Sequence, residues 1–169
     1  MVKKSFLYTL CFLLLFLIEA VFRPITVFGV SPLYVLCGTV AVGILENEKF
    51  GGIFGLIFGL FCDFAGGSVF GSQAICFMFV GFLAGAISDA VLSKGLARTV
   101  IFTEGAIIFF NLLKALFAII LDESDFIQIL LYILLPKVLL TLPFSILIYY
   151  FIRLIRHFSD RNRERKRLW

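Results

Sequence analysis

The stretch that decides the fold runs from Gly51 to Gln73, "GGIFGLIFGLFCDFAGGSVFGSQ". Gly51, Gly55 and Gly59 recur at every fourth position, and the next step of the same size lands on Asp63, an acid inside apolar sequence. On a helix, residues four apart lie on nearly one face, so the three glycines carve a groove where another helix can approach the backbone closely. Asp63 closes one end of that groove. The pattern recurs in "GFLAGAISD", which sets Gly81, Gly85 and Asp89 at the same four-residue steps. Two roles are open to these glycines: packing within this chain, or a face for another protein's membrane helix. Between the two patterns, "AGGSVFGS" reads as a tight re-entry turn, because Gly66, Gly67 and Gly71 permit backbone angles that other residues resist.

Composition sets the solvent for these helices. Of 169 residues, 62% are hydrophobic, 22 are Phe and only 15% are charged, with a mean hydropathy of +1.09. A water-soluble domain of this length cannot hide so much apolar surface, whereas runs near twenty apolar residues match the roughly 30 Å hydrocarbon core of a bilayer. The expected fold is all-α, a polytopic membrane protein. Breaks at "RP", "ENEK", "AGGS", "SKGLAR" and "DESD" divide the chain into spans at Ser5–Phe22, Ile25–Leu45, Phe50–Phe64, Val69–Val91, Thr99–Leu121 and Phe126–Ile152. That predicts a six-helix transmembrane bundle over residues 1–152 and a basic tail over 153–169. The third span is short, about fifteen residues or roughly 22 Å, and the second contains Pro32, which makes it begin late or kink. The opening run "MVKKSFLYTLCFLLLFLIEAVFRP" reads as an uncleaved first span, since no small-x-small cleavage pattern follows it. Cys11, Cys37, Cys62 and Cys76 all fall in apolar segments without metal or redox spacing and are read as packing residues.

Orientation follows from Lys and Arg in the connections. With the N-terminus in the cytoplasm, the inside holds Lys3, Lys4, Lys49, Lys94, Arg98, Arg153, Arg156, Arg161, Arg163, Arg165, Lys166 and Arg167, and the outside holds only Arg23. Both termini are then cytoplasmic, which requires an even number of spans. The loop with Asp122, Glu123 and Asp125 falls outside.

Several charges remain within the spans. Counting rise per residue, Glu19, Asp63 and Lys114 fall in the outer half with Arg23 at its rim, and Glu104 lies nearer Asp89 in the inner half. Such groups usually face the bundle interior and pair, since an unpaired charge at mid-bilayer costs a few kcal/mol. Glu19 and Arg23 stand i, i+4 in the favourable order. Asp63 and Asp89 each sit near the partially negative C-terminal end of a helix, where a carboxylate needs a partner; Lys114 is a candidate for Asp63. Lys137, after Pro136, has no sequence-local acid and is expected to meet one from another helix or another protein. These charges serve either as internal glue or as a polar pathway and partner-docking site.

Catalytic readings fare poorly. Ser68 lies in a glycine-rich turn, but the only histidine, His157, follows the last span and cannot reach it. Asp63 and Asp89 fall at opposite membrane faces, which does not suit a Mg²⁺-dependent lipid transferase, and no phosphate-binding loop occurs. No enzyme activity, catalytic residue, metal site or cofactor is expected.

The chain resembles the MreD family of bacterial rod shape-determining membrane proteins. The resemblance covers most of its length and rests on the short Lys-bearing N-terminus, on "SPLYVL", and above all on "GLIFGLFCDFAGGSVFGSQAICFMFVGFLAG". Its most specific piece is Gly59-Leu60-x-x-Asp63-x-x-x-Gly67-x-x-x-Gly71, supported by Pro136 and Pro143 in the last span. The resemblance implies a non-enzymatic scaffold in the bacterial cytoplasmic (inner) membrane. It would bind MreC and work with MreB, RodA and its transpeptidase in lateral peptidoglycan synthesis. It also implies the helical fold of the substrate-binding subunits of vitamin (ECF-type) transporters, which supplies the alternative, a small-solute or vitamin-binding subunit. A solute binder needs aromatic and polar side chains near its outer loops. Here those loops offer glycine-rich turns and "DESD", which favours the scaffold.

The tail residues Arg153, Arg156, Arg161, Arg163, Arg165, Lys166 and Arg167 read either as an anchor on anionic lipid, each worth on the order of 1 kcal/mol near the surface, or as a docking strip for a cytoplasmic partner. Nucleic acid is not expected, because the basic run continues directly from a span. Topology reporters test the orientation. Fusions in "SKGLAR" and at the C-terminus are expected to report cytoplasm and one in "DESD" the outside; an external C-terminus would overturn the six-span reading.

Overall fold

A computed structural model describes residues 2–21, 32–66, 71–91, 96–120 and 135–165, with side chains over 5–21, 32–66, 71–87, 96–112 and 136–157. The described residues form six α-helices and no strand: α1 (Val2–Val21), α2 (Tyr34–Leu45), α3 (Glu48–Gly66), α4 (Ser72–Val91), α5 (Leu96–Ile120) and α6 (Leu135–Arg165). Among the described residues, two stretches, Glu48–Gly66 and Pro136–His157, are long and apolar enough to cross a membrane.

Helix boundaries depart from the expected spans: α1, α4 and α5 start three residues away from the expected position, and the other three differ as follows. The second helix begins only at Tyr34, after non-helical Pro32 and Leu33, and is 12 residues long, about 18 Å. The third is longer than expected, 19 residues. Its start absorbs half of "ENEK", because Asn47 accepts the Glu48 N–H at 2.9 Å and Glu48 places an acid in the first turn, where the helix dipole favours it. The last helix runs unbroken past Ile152 to Arg165, so no structural break separates the sixth span from the basic segment. Pro136 stands at the second position of α6, where a missing N–H costs nothing, and Pro143 lies inside the helix.

Short connections and side-chain contacts make the helices alternate in direction. Tyr8 and Glu19 of α1 touch Glu46 and Val35, so α1 and α2 are antiparallel. Gly51, Gly55 and Gly59 face Gly81, Phe77 and Ala74, so α3 and α4 are antiparallel. Tyr34 meets Phe144 with ring centroids 5.0 Å apart, and Glu46 meets Arg156, so α2 and α6 run parallel. The early part of α1 and the late part of α6 therefore share one end of the bundle.

At the centre stands α2, which packs against all five other described helices and is buried at every residue from Val35 to Leu45. A helix apolar on all sides belongs in such a position. Around it lie Phe12, Phe54 and Phe58, mutually tilted or stacked, with Phe77 and Phe110 on the far side.

The α3 glycine face is occupied by α4. A Cβ at Gly59 would stand 2.6 Å from the Ala74 Cα, and one at Gly51 would stand 2.7 Å from the Gly43 Cα and 3.0 Å from the Gly81 carbonyl carbon. Three backbones thus meet at Gly43, Gly51 and Gly81. Gly85 faces the Glu48 backbone, which carries the α4 series to the end of the hairpin. Of the two roles open to the glycines, this is packing within the chain, and the face is closed to a partner's helix.

The glycines predict a graded alanine series. At Gly55 an added Cβ would meet the Phe77 carbonyl carbon at 2.6 Å and the Met78 nitrogen at 2.9 Å; at Gly52 the nearest atom is the Phe82 Cβ at 3.5 Å; at Gly105 nothing lies within 4 Å. Thermal unfolding in detergent is expected to show Gly55→Ala destabilised by about 1–3 kcal/mol. Gly52→Ala should stay near wild type, and Gly105→Ala should gain up to ~1 kcal/mol of helix propensity. Equal melting temperatures across the series would contradict the packing.

Candidate functional site

Asp63 is held by the start of the next helix. Near the end of α3, its carboxylate accepts the N–H groups of Gly71 at 3.0 Å, Gln73 at 3.1 Å and Ala74 at 3.1 Å. The first turn of a helix has N–H groups without intrahelical acceptors and carries partial positive charge. The acid at the unfavourable end of its own helix is thereby matched with the favourable end of its neighbour. Gly71 makes the geometry possible: its φ of +89° turns the chain into α4 in a conformation that L side chains resist. Asp63 is 2% exposed and Gln73 5%, so the clasp is dry.

Glu19 repeats the device. Near the end of α1, its Oε2 accepts the Val35 N–H at 2.9 Å, in the first turn of α2. Its Oε1 lies 4.0 Å from the Cys62 Sγ, so the two carboxylates share one layer of the bundle, Cys62 being the residue before Asp63. The expected partners of these acids were cations. Arg23 lies outside the described residues, as does the Lys114 side chain; the described donors to Asp63 are backbone N–H groups, and those to Glu19 are the Val35 N–H and the Cys62 thiol.

At the opposite end, Tyr8 donates to Glu46 Oε1 at 2.7 Å, and the Arg156 Nε lies 3.6 Å from the same oxygen. Glu46 thus joins α1 and α6 to the end of α2. Arg156, read from the sequence as a contact for lipid or a cytoplasmic partner, is two-thirds buried and ion-paired within the chain. Arg153, one turn earlier, is exposed.

Lys137 is buried, and its Nζ lies 3.4 Å from Asn111 Oδ1 and 6.0 Å from the centroid of Phe110. An amide oxygen and an aromatic face are thus among its neighbours. Lys137, Thr141 and Ser145 continue at four-residue steps down the buried face of α6. Thr141 donates to the Lys137 carbonyl at 2.6 Å and Ser145 to that of Leu142 at 2.8 Å. Thr103 and Asn111 bond α5 carbonyls in the same way, so this polar seam is satisfied helix by helix.

Glu104 is the exception. Both its carboxylate oxygens are buried without a hydrogen-bond partner among the described residues. It lies within electrostatic reach of the buried Cys37, as Glu19 does. The expected neighbour Asp89 stands on α4 with its side chain outside the described set. Arg161, Arg163 and Arg165 lie on α6 in the same condition, and Gly67, Lys166 and Arg167 lie outside the described residues. Among the described residues, no group of three or more His, Cys, Asp or Glu could hold a metal ion.

Sequence reasoning missed Gly43, Glu46 and Asn111. The first was findable as the small residue of "VAVGIL"; the other two carried no local signal, because their partners are 38 and 26 residues away. Comparison with protein-family models, curated proteins and solved structures finds no match to this chain.

Two substitutions test the site. Asp63→Asn retains one acceptor oxygen for three N–H groups, and Asp63→Ala retains none. Loss of stability should therefore grow in that order, reaching about 1–3 kcal/mol for each donor left buried and unpaired. Lys114→Gln is expected to restore neither; restoration would mark a Lys114 ion pair as the dominant contact. Glu104→Met removes a buried polar group without a partner and should raise the melting temperature in detergent. A fall would mean that the carboxylate contributes to stability.

Proposed function

We propose that this chain is a six-span membrane scaffold of the MreD type, non-enzymatic, with both termini in the cytoplasm of a bacterial cell. Its task would be to hold MreC and, through it, the lateral wall-synthesis proteins at the inner membrane. The alternating helix directions and the common end of α1 and α6 support an even number of spans. The twelve-to-one asymmetry of basic residues supports the orientation.

The observation that carries the reading is the role of the motif on which the resemblance rests. Gly59 admits Ala74, Asp63 binds the start of α4, and Gly71 supplies the turn, so the three act together as a clasp on one helical hairpin. A motif spent on rigidity suits a platform. It suits a solute-binding subunit less, since Asp63 and Glu19, the acids best placed to recognise a polar solute, already accept backbone N–H groups. With the glycine face closed, partners would use the outward apolar sides, where Phe79, Ile101 and Leu147 are more than half exposed.

Affinity purification in mild detergent, with mass spectrometry of what co-elutes, tests the proposal. Recovery of wall-synthesis membrane proteins is expected; recovery of an ATPase with a transmembrane coupling subunit would replace the scaffold by the transporter reading.

A further inference from the structure

A groove of about 420 Å³ runs along the outer side of the α3–α4 hairpin. Its walls include Leu56 of α3 with Phe79 and Phe82 of α4, its floor is the bare backbone at Gly52, and its single charged residue is Lys49, in the first turn of α3. Lys49 is exposed and makes no ion pair among the described residues. Glu48, the adjacent acid, has its backbone against Gly85 and is not among the residues that line the groove. A cation at one end and apolar wall along the remainder match an amphiphile with an anionic head and a hydrocarbon tail.

We propose that this groove binds an anionic phospholipid of the cytoplasmic leaflet, its acyl chain laid over Gly52 and its phosphate paired with Lys49. The proposal rests on the membrane reading above, which places "ENEK" at the cytoplasmic face. Basic groups at the cytoplasmic ends of paired membrane helices are suited to lipid phosphates. Gly52 explains the depth of the site. Unlike its neighbours Gly51 and Gly55, it is not pressed against another backbone, so its missing side chain leaves space for a ligand. A second groove, of about 370 Å³ between α4 and α5, has a wholly apolar lining and offers nothing to select a headgroup.

Native mass spectrometry of the purified full chain with added phosphatidylglycerol or phosphatidylethanolamine of matched acyl chains tests the assignment. The wild type is expected to retain phosphatidylglycerol preferentially. Lys49→Gln should reduce that retention about fivefold, the contribution of one lysine near a charged surface, and leave phosphatidylethanolamine unchanged. Gly52→Leu should displace both lipids at this site, and Gly52→Ala serves as a control for folding. Equal retention of the two lipids by wild type, or an unaltered preference in Lys49→Gln, would overturn the site. Carbonate extraction of membranes separates the two readings: a chain that stays in the membrane but fails the lipid test refutes the site alone, and one released by carbonate refutes both.

Discussion

Three helix backbones meet where Gly43, Gly51 and Gly81 face one another, and no side chain fits between them. Because α2 touches every other described helix, the spacing set at this crossing propagates through the bundle. In hydrocarbon, helices gain little from burying apolar groups against each other, and close backbone approach with interhelical polar bonds supplies the association instead. The arrangement uses both. Glycine brings α2, α3 and α4 together, and carboxylates tie helix ends.

Those carboxylates answer a problem created by the crossing. A helix that begins inside the bundle leaves its first N–H groups away from water, where each unsatisfied group is costly. The second helix begins so at Tyr34, with Leu33 before it buried, and the fourth begins behind the turn at Gly71. Glu19 and Asp63 reach across from the ends of the preceding helices and accept those donors. Both acids thus terminate backbone at the start of a neighbouring helix. Glu104, whose oxygens have no such partner among the described residues, is an acid that this architecture does not explain.

The distribution of function follows. Among the described residues the α2–α3–α4 core is closely packed, and Glu46 is joined to Tyr8 and Arg156. Among the described residues, surfaces open to other molecules include apolar helix flanks, grooves beside α4, and exposed basic residues such as Lys49 and Arg153. A scaffold and a lipid contact both draw on surfaces of this kind.

The sequence by itself determined the helical character, the glycine periodicity and the position of the α3–α4 turn, because each is a local matter of hydropathy, four-residue spacing and backbone freedom. It also marked Asp63 as a residue needing a partner, since an acid in apolar sequence announces its own cost. What the acid would bind was not legible. Sequence reasoning sought a cation, because charges are visible in a sequence and the N–H groups of a helix start are not. Likewise the glycine face could have met this chain or another, and Arg156 looked like its neighbours in the basic run until Glu46 was brought beside it. Those choices depend on which helix ends and faces coincide in space. Only the tertiary structure decides that, because the contacts join residues far apart in the chain whose side chains carry no record of one another.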